Sequence, residues 1–215
     1  MALWYLSRAT GAATLVLLTL TLVLGVVNVE RFTSRHFPRF VVDGWHRGVS
    51  LIACVLLALH IVTTLFDSYA PIRLVDVFVP FTGSYRPLWL GLGALALDLL
   101  IAVTVTSLLR SHIGVRTWRA VHWAAYACWP VALMHGLGTG SDVKAGWLAW
   151  TALACGVAVA LAILVRLAGD EASAGVRAGA VAALLAGVIG LGVWLPSGPL
   201  ASGWAAKAGT PASLL

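Results

Sequence analysis

Six histidines occur in the chain, and four of them fall inside long apolar stretches. His46 and His60 share one stretch, DGWHRGVSLIACVLLALHIVTTLF, fourteen positions apart. His122 and His135 share another, WRAVHWAAYACWPVALMHGLG, thirteen positions apart. Ionisable groups at membrane depth are costly and tend to mark a site. Imidazole suits iron, zinc, copper and nickel, so two matched pairs raise the question of a metal group at two levels. The remaining two, His36 and His112, fall in loops and read as solvated residues.

A haem iron held on both faces takes one neutral imidazole from each side. Two parallel helices with a porphyrin between them supply this, pairing His46 with His122 and His60 with His135. At about 1.5 Å per residue the two levels lie about 21 Å apart, so two stacked haems fit within a hydrocarbon core of about 30 Å. Zinc fits less well: each level offers two imidazoles and no nearby cysteine, whereas a tetrahedral site wants three or four protein ligands. One feature of the spacing is awkward. At about 100° per residue, fourteen steps return to within about 40° of the same face, but thirteen leave an offset of about 140°. Pro130 lies between His122 and His135, and a proline removes a backbone hydrogen bond and kinks its helix. The expectation is an irregular helix at Pro130 that corrects the phase.

The elements that position these histidines follow from composition. Of 215 residues, 60% are hydrophobic and only 10% charged, against about 25% charged in an ordinary soluble domain. The apolar residues form six blocks, about 11–28, 46–66, 88–109, 119–138, 146–168 and 176–195. Each is roughly the length needed to span a bilayer. The fold class is therefore all-α: a polytopic membrane helix bundle of six transmembrane helices, with two haems between helices 2 and 4. The first block is too long for a signal-peptide core and is followed by no clean small-residue cleavage site, so it reads as the first span. Residues 1–195 form the membrane domain. The tail 196–215, rich in Pro, Gly, Ala and Ser, is expected to be disordered.

The net charge of +6 does not indicate nucleic-acid binding, because no lysine-arginine run occurs. Its placement orients the bundle instead. The loops after spans 1, 3 and 5, with their flanks, hold nine basic residues: Arg31, Arg35, Arg39, Arg47, Arg110, Arg116, Arg119, Arg166 and Arg177. The opposite side holds five: Arg8, Arg73, Arg86, Lys144 and Lys207. The first set is expected in the cytoplasm and both termini outside, in a cell membrane. Cys54, Cys128 and Cys155 all lie within apolar blocks and read as small buried hydrophobes. Trp4, Trp45, Trp89, Trp118, Trp147 and Trp194 fall near span ends and read as interface residues. The semi-apolar loop 67–87 is expected to lie on the outer surface or to cap the bundle.

The double spacing H-x13-H and H-x12-H, with the flank G-x-x-x-W-R-x-x-H before His122, resembles the ferric reductase-like transmembrane domain over about residues 5–170. That superfamily includes NADPH oxidases, ferric-chelate reductases and the haem subunit of bacterial methionine-sulfoxide repair, and this chain looks like its short actinobacterial members. The resemblance implies two b-type haems, one on His46 and His122 toward the cytoplasm and one on His60 and His135 toward the outside. It also implies a membrane oxidoreductase component. NADPH oxidases and ferric reductases continue into a flavin and NAD(P)H domain, but no G-x-G-x-x-G occurs here. Electrons are therefore expected from a separate flavin-containing or quinol donor. They would leave to ferric iron, oxygen or an extracytoplasmic redox protein, of which relatives suggest an FMN-binding or molybdenum protein.

Other residues gain a role if haems are bound. Arg47, Arg116 and Arg119 lie at the cytoplasmic level and Arg86, with Tyr85, at the outer one, and arginine binds carboxylates such as propionates bidentately. Each also reads as an ordinary interface residue. Trp129 lies between the histidines of the fourth span as an aromatic spacer or as bundle packing. Gly44, Gly48, Gly136 and Gly138 flank histidines and leave room for a flat group, or simply for close helix packing. Asp98, in the middle of the third span, is a candidate proton relay or a hydrogen-bond donor to a neighbouring helix. Two other readings stand beside the electron carrier: a haem-free proton or ion pathway using Asp98, and a structural subunit whose histidines only pack.

Overall fold

The computed structural model describes residues 2–30, 38–169 and 173–215. Arg31, Arg35 and His36 lie outside the described residues. Among those described there is no strand, as the unbroken apolar blocks require. The chain runs through α1 (Ala2–Val29), α2 (Arg39–Phe66), α3 (Leu74–Phe78), α4 (Pro87–Leu108), α5 (Arg110–Ile113), α6 (Val115–His122), α7 (Ala124–Thr139), α8 (Trp147–Ala168), α9 (Ala174–Ser197) and α10 (Trp204–Lys207). Five of these, α1, α2, α4, α8 and α9, are long and apolar enough to cross a membrane.

The predicted fourth span is delivered as two consecutive helices rather than one, which is why five long helices are found where six spans were expected. The interruption is not at Pro130. It falls at Trp123, and α7 runs through Pro130 unbroken. The local bonding explains the difference. The Tyr126 N–H donates to the Trp123 carbonyl at 3.1 Å, a three-residue closure tighter than an α-turn. Such a turn changes the rotational phase of α7 relative to α6. Pro130 needs only the absence of a donor to the Tyr126 carbonyl, one turn further on.

Packing divides the bundle. α1 packs most extensively on α2 and also meets α8 and α7, while α4 packs on α7, α6 and the short α3. No comparable packing joins α2 to α7 among the described residues. The two helices that carry His60 and His135 are thus bridged by α1, which packs on both. The dry core lies on the other side of α7, where Trp129, Leu133 and Leu137 meet Leu15 of α1 and Cys155 and Val159 of α8. α9 contributes no buried residue and presents apolar side chains all round, as a helix facing lipid does.

The segment after α9 departs from the expected disorder. Trp204 of α10 packs on Trp89 and Trp194 with ring centres 5.4 Å and 5.8 Å away, and those two stack on each other at 5.0 Å. Low-complexity composition is overridden here by one large aromatic anchor. Trp89 is accordingly buried rather than an interface residue.

Candidate functional site

Three of the four histidines are held by the same device. The His60 Nδ1–H donates to the carbonyl of Ser7 at 2.7 Å, and its ring lies against Gly11, where a Cβ would come within 3.0 Å. The His46 Nδ1–H donates to the carbonyl of Thr21 at 3.0 Å, and its ring lies against Gly25. The His135 Nδ1–H donates to the carbonyl of Trp89 at 2.8 Å, and a Cβ on Gly93 would come within 2.6 Å of its ring. In every case the accepting carbonyl belongs to the residue four before the glycine on the neighbouring helix. The missing Cβ lets the ring lie on the helix backbone and reach that carbonyl. Because a carbonyl only accepts, the Nδ1 carries the proton and the lone pair is left on Nε2. This is the arrangement by which an outer partner fixes a metal-ligating imidazole.

Sequence reasoning missed these glycines and selected others. Gly44, Gly48 and Gly136 have open space where a Cβ would stand, and Gly138 lies under the Trp89 ring. A signal was present nonetheless. Gly11 and Gly25 are fourteen residues apart, the same interval as His46 and His60, so an antiparallel α1 and α2 bring both glycine–histidine pairs together at once.

His60 and His135 face each other across the gap between α2 and α7, with ring centres 6.4 Å apart and planes at 79°. Both line a cavity of about 280 Å³. Its walls are apolar, with Leu57, Ile61, Leu97, Leu100 and Ala132 among them. Its rim is polar and includes Arg8, Asp142, Tyr69 and Tyr85. Arg8 and Asp142 form an ion pair, and the Arg8 guanidinium lies over the Trp4 ring at 3.9 Å. The loop 67–86 caps this end, as one of the two expected arrangements for it. Buried Asp76 holds the loop through Arg73, whose Nη2 donates to Asp76 Oδ1 at 2.8 Å, and through Thr82 at 3.2 Å. The Arg73 hydrogen bonds hold the Asp76 carboxyl below the usual carboxylate range.

The second pair is built differently. His122 lies within electrostatic reach of His46 and Arg110. Its ring packs on Trp118 at 4.9 Å, and Arg110 lies over the Trp118 ring at 4.3 Å. The His122 Nδ1 is buried with no hydrogen-bond partner. The other such atom among the described residues is Thr21 Oγ1, on the residue whose carbonyl serves His46.

The structure sorts the other sequence candidates. Arg47 is exposed and pairs with Asp43 at 3.2 Å; Arg116 and Arg119 are exposed on α6. Arg86 does not line the cavity. It is buried, and its guanidinium donates to Thr210 Oγ1 at 2.9 Å and to the carbonyls of Thr139 at 2.8 Å and Gly138 at 3.3 Å. Those two carbonyls are orphaned at the C-terminus of α7 and need donors. Arg86 thus caps α7, and the cation that lines the cavity is Arg8. Trp129 packs in the dry core, and its Nε1–H donates to Thr19 Oγ1 at 2.8 Å. Asp98 is half-buried on α4, outside the cavity. Cys128 and Cys155 are buried as expected, and Cys54 is half-buried.

The family model for the ferric reductase-like transmembrane component matches residues 10–134. The chain belongs to that family. The match contains His46, His60 and His122 and stops one residue short of His135. No curated protein and no solved structure matches the chain. Among the described residues no group of three or more His, Cys, Asp or Glu could hold a metal ion. The donor set that geometry does provide is a pair of facing imidazoles on an apolar cavity. That set suits a haem, whose porphyrin supplies the remaining iron ligands, and does not suit a bare tetrahedral ion.

Proposed function

We propose that this membrane protein carries two b-type haems, one on His60 and His135 and one on His46 and His122, and passes electrons across the bilayer. One observation carries the reading: two imidazoles from different helices face each other on one apolar cavity, each with its Nδ1–H engaged by a carbonyl and its Nε2 available. Bound haem would supply one-electron chemistry. The chain's own residues hold the imidazoles, keep the site apolar and set how tightly it grips. The helix ends rich in arginine face the cytoplasm, and both termini lie outside. Electrons come from a separate flavin-containing or quinol donor at the His46 and His122 end. They leave at the other end to ferric iron, oxygen or a partner redox protein.

The test is vectorial. The protein is placed in sealed vesicles that hold ferricyanide, and dithionite is added outside. Wild type reduces the trapped ferricyanide, whereas His60→Leu vesicles do so no faster than empty ones. Equal rates for wild type and His60→Leu would remove the electron-transfer reading and favour a proton pathway or a packing role for the histidines.

A further inference from the structure

The segment after α9 reaches back to the residues that orient His135. The Arg86 N–H donates to the Gly209 carbonyl at 3.0 Å, and the Arg86 Nε–H donates to Thr210 Oγ1 at 2.9 Å. From there the same guanidinium reaches the carbonyls of Thr139 and Gly138, one turn beyond His135. The Trp204 Nε1–H shares the Gly138 carbonyl at 3.1 Å. Arg86 also begins α4 in a left-handed conformation, φ 43°, which a non-glycine residue adopts only when its surroundings hold it there. Three residues on, Trp89 offers its carbonyl to His135 and its ring to Trp204. The end of the chain therefore grips both partners of one ligand: the start of the helix that accepts the His135 Nδ1–H, and the end of the helix that bears His135.

We propose that residues 204–210, acting through Arg86, are a clasp that positions His135 as a ligand of the cavity site and so tunes that site alone. The inference rests on the haem reading above. Removal of an outer partner of a metal-bound imidazole typically costs about 10–100-fold in metal affinity, and a clasp one step further out should act toward the lower end. Arg86, Thr210 and Trp204 do not line the cavity. They are positioning residues.

The test uses the full-length chain in detergent with Thr210→Val, Arg86→Lys and Trp204→Phe, each followed by redox titration, ferric low-spin EPR and thermal melting. The His60→Leu chain, which keeps the other pair, identifies which potential belongs to which site. Thr210→Val should melt near wild type, yet bind haem at the cavity site about 10-fold more weakly, with a shifted potential and EPR signal there and none at the second site. Arg86→Lys should shift it further, because an ammonium cannot reproduce the three-way fork. Trp204→Phe keeps an aromatic ring, though a smaller one, and loses one bond, and should shift it least. Thr210→Val also covers the case in which Arg86→Lys does not fold. Two unchanged potentials in Thr210→Val and Trp204→Phe, with both haems bound, would overturn the clasp and leave the haem reading intact. A wild-type chain without haem would overturn both.

Discussion

At His60 and His135 both rings lie on glycine and both Nδ1 atoms meet a carbonyl; at His46 and His122 only the first does. The reason for the exception is visible on α4. The positions thirteen and fourteen residues after Gly93 are Thr106 and Ser107 rather than glycine. Each bends its hydroxyl back to the carbonyl four residues earlier, Thr106 to Ala102 and Ser107 to Val103, both at 2.6 Å. The carbonyls that a fourth module would use are thus occupied by the side chains that replace the glycine. His122 is instead fixed by Trp118 on one face, and its Nδ1 is left buried and unpaired, at a cost of about 1–3 kcal/mol. In one pair both rings are set by backbone. In the other only His46 is, and His122 rests on ring packing.

The largest consequence comes from the ligands themselves. His60→Leu or His135→Leu should abolish haem at the cavity site and leave the second haem, so haem per chain falls from about two to about one. If either variant kept both haems, the pairing would be wrong. Next comes the glycine module. Gly93→Ala puts a methyl 2.6 Å from the His135 ring, so the ring must move, and the site should lose about 10–100-fold in affinity. Gly44→Ala meets nothing within 4 Å and should be neutral, or stabilising by up to about 1 kcal/mol in helix propensity. Equal effects of the two would show that the carbonyl–glycine device does not matter. The contrast between the pairs itself predicts an order of loss: with apomyoglobin as scavenger, the His46 and His122 haem should leave first. The reverse order would mean that Trp118 secures His122 better than a carbonyl secures His135.

The smallest effect concerns the cap. Asp76 has a lowered carboxyl, because Arg73 hydrogen-bonds its charged form. Its folded value lies below the unfolded one, so its contribution is present at neutral pH and lost as pH falls through the lowered value. Protection from hydrogen exchange in 73–82, taken relative to the intrinsic rate at each pH, should therefore fall in acid. Asp76→Asn should show the lower protection already at neutral pH and no further acid step.

Much of this was legible in the sequence. Length and apolarity marked the spans, and the fourteen-residue interval of His46 and His60 brought both imidazoles to one face of α2. The thirteen-residue interval correctly demanded an irregular helix, but not its place. Pro130 is the obvious breaker, yet a helix tolerates proline where the freed carbonyl can turn to other partners, and the tight turn formed at Trp123 instead. Arg86 and the tail were unreadable for a related reason: a contact over 124 residues of separation leaves no local pattern. Gly11 and Gly25 were readable only in register with a second helix. Local periodicity reports the face that a helix buries, and not what the face touches.

The most direct measurement is a pyridine haemochrome spectrum with haem per chain on wild-type protein purified in detergent. The account predicts b-type haem at about two per chain. Haem-free protein, after expression with haem supplied, would contradict it and return the four histidines to packing.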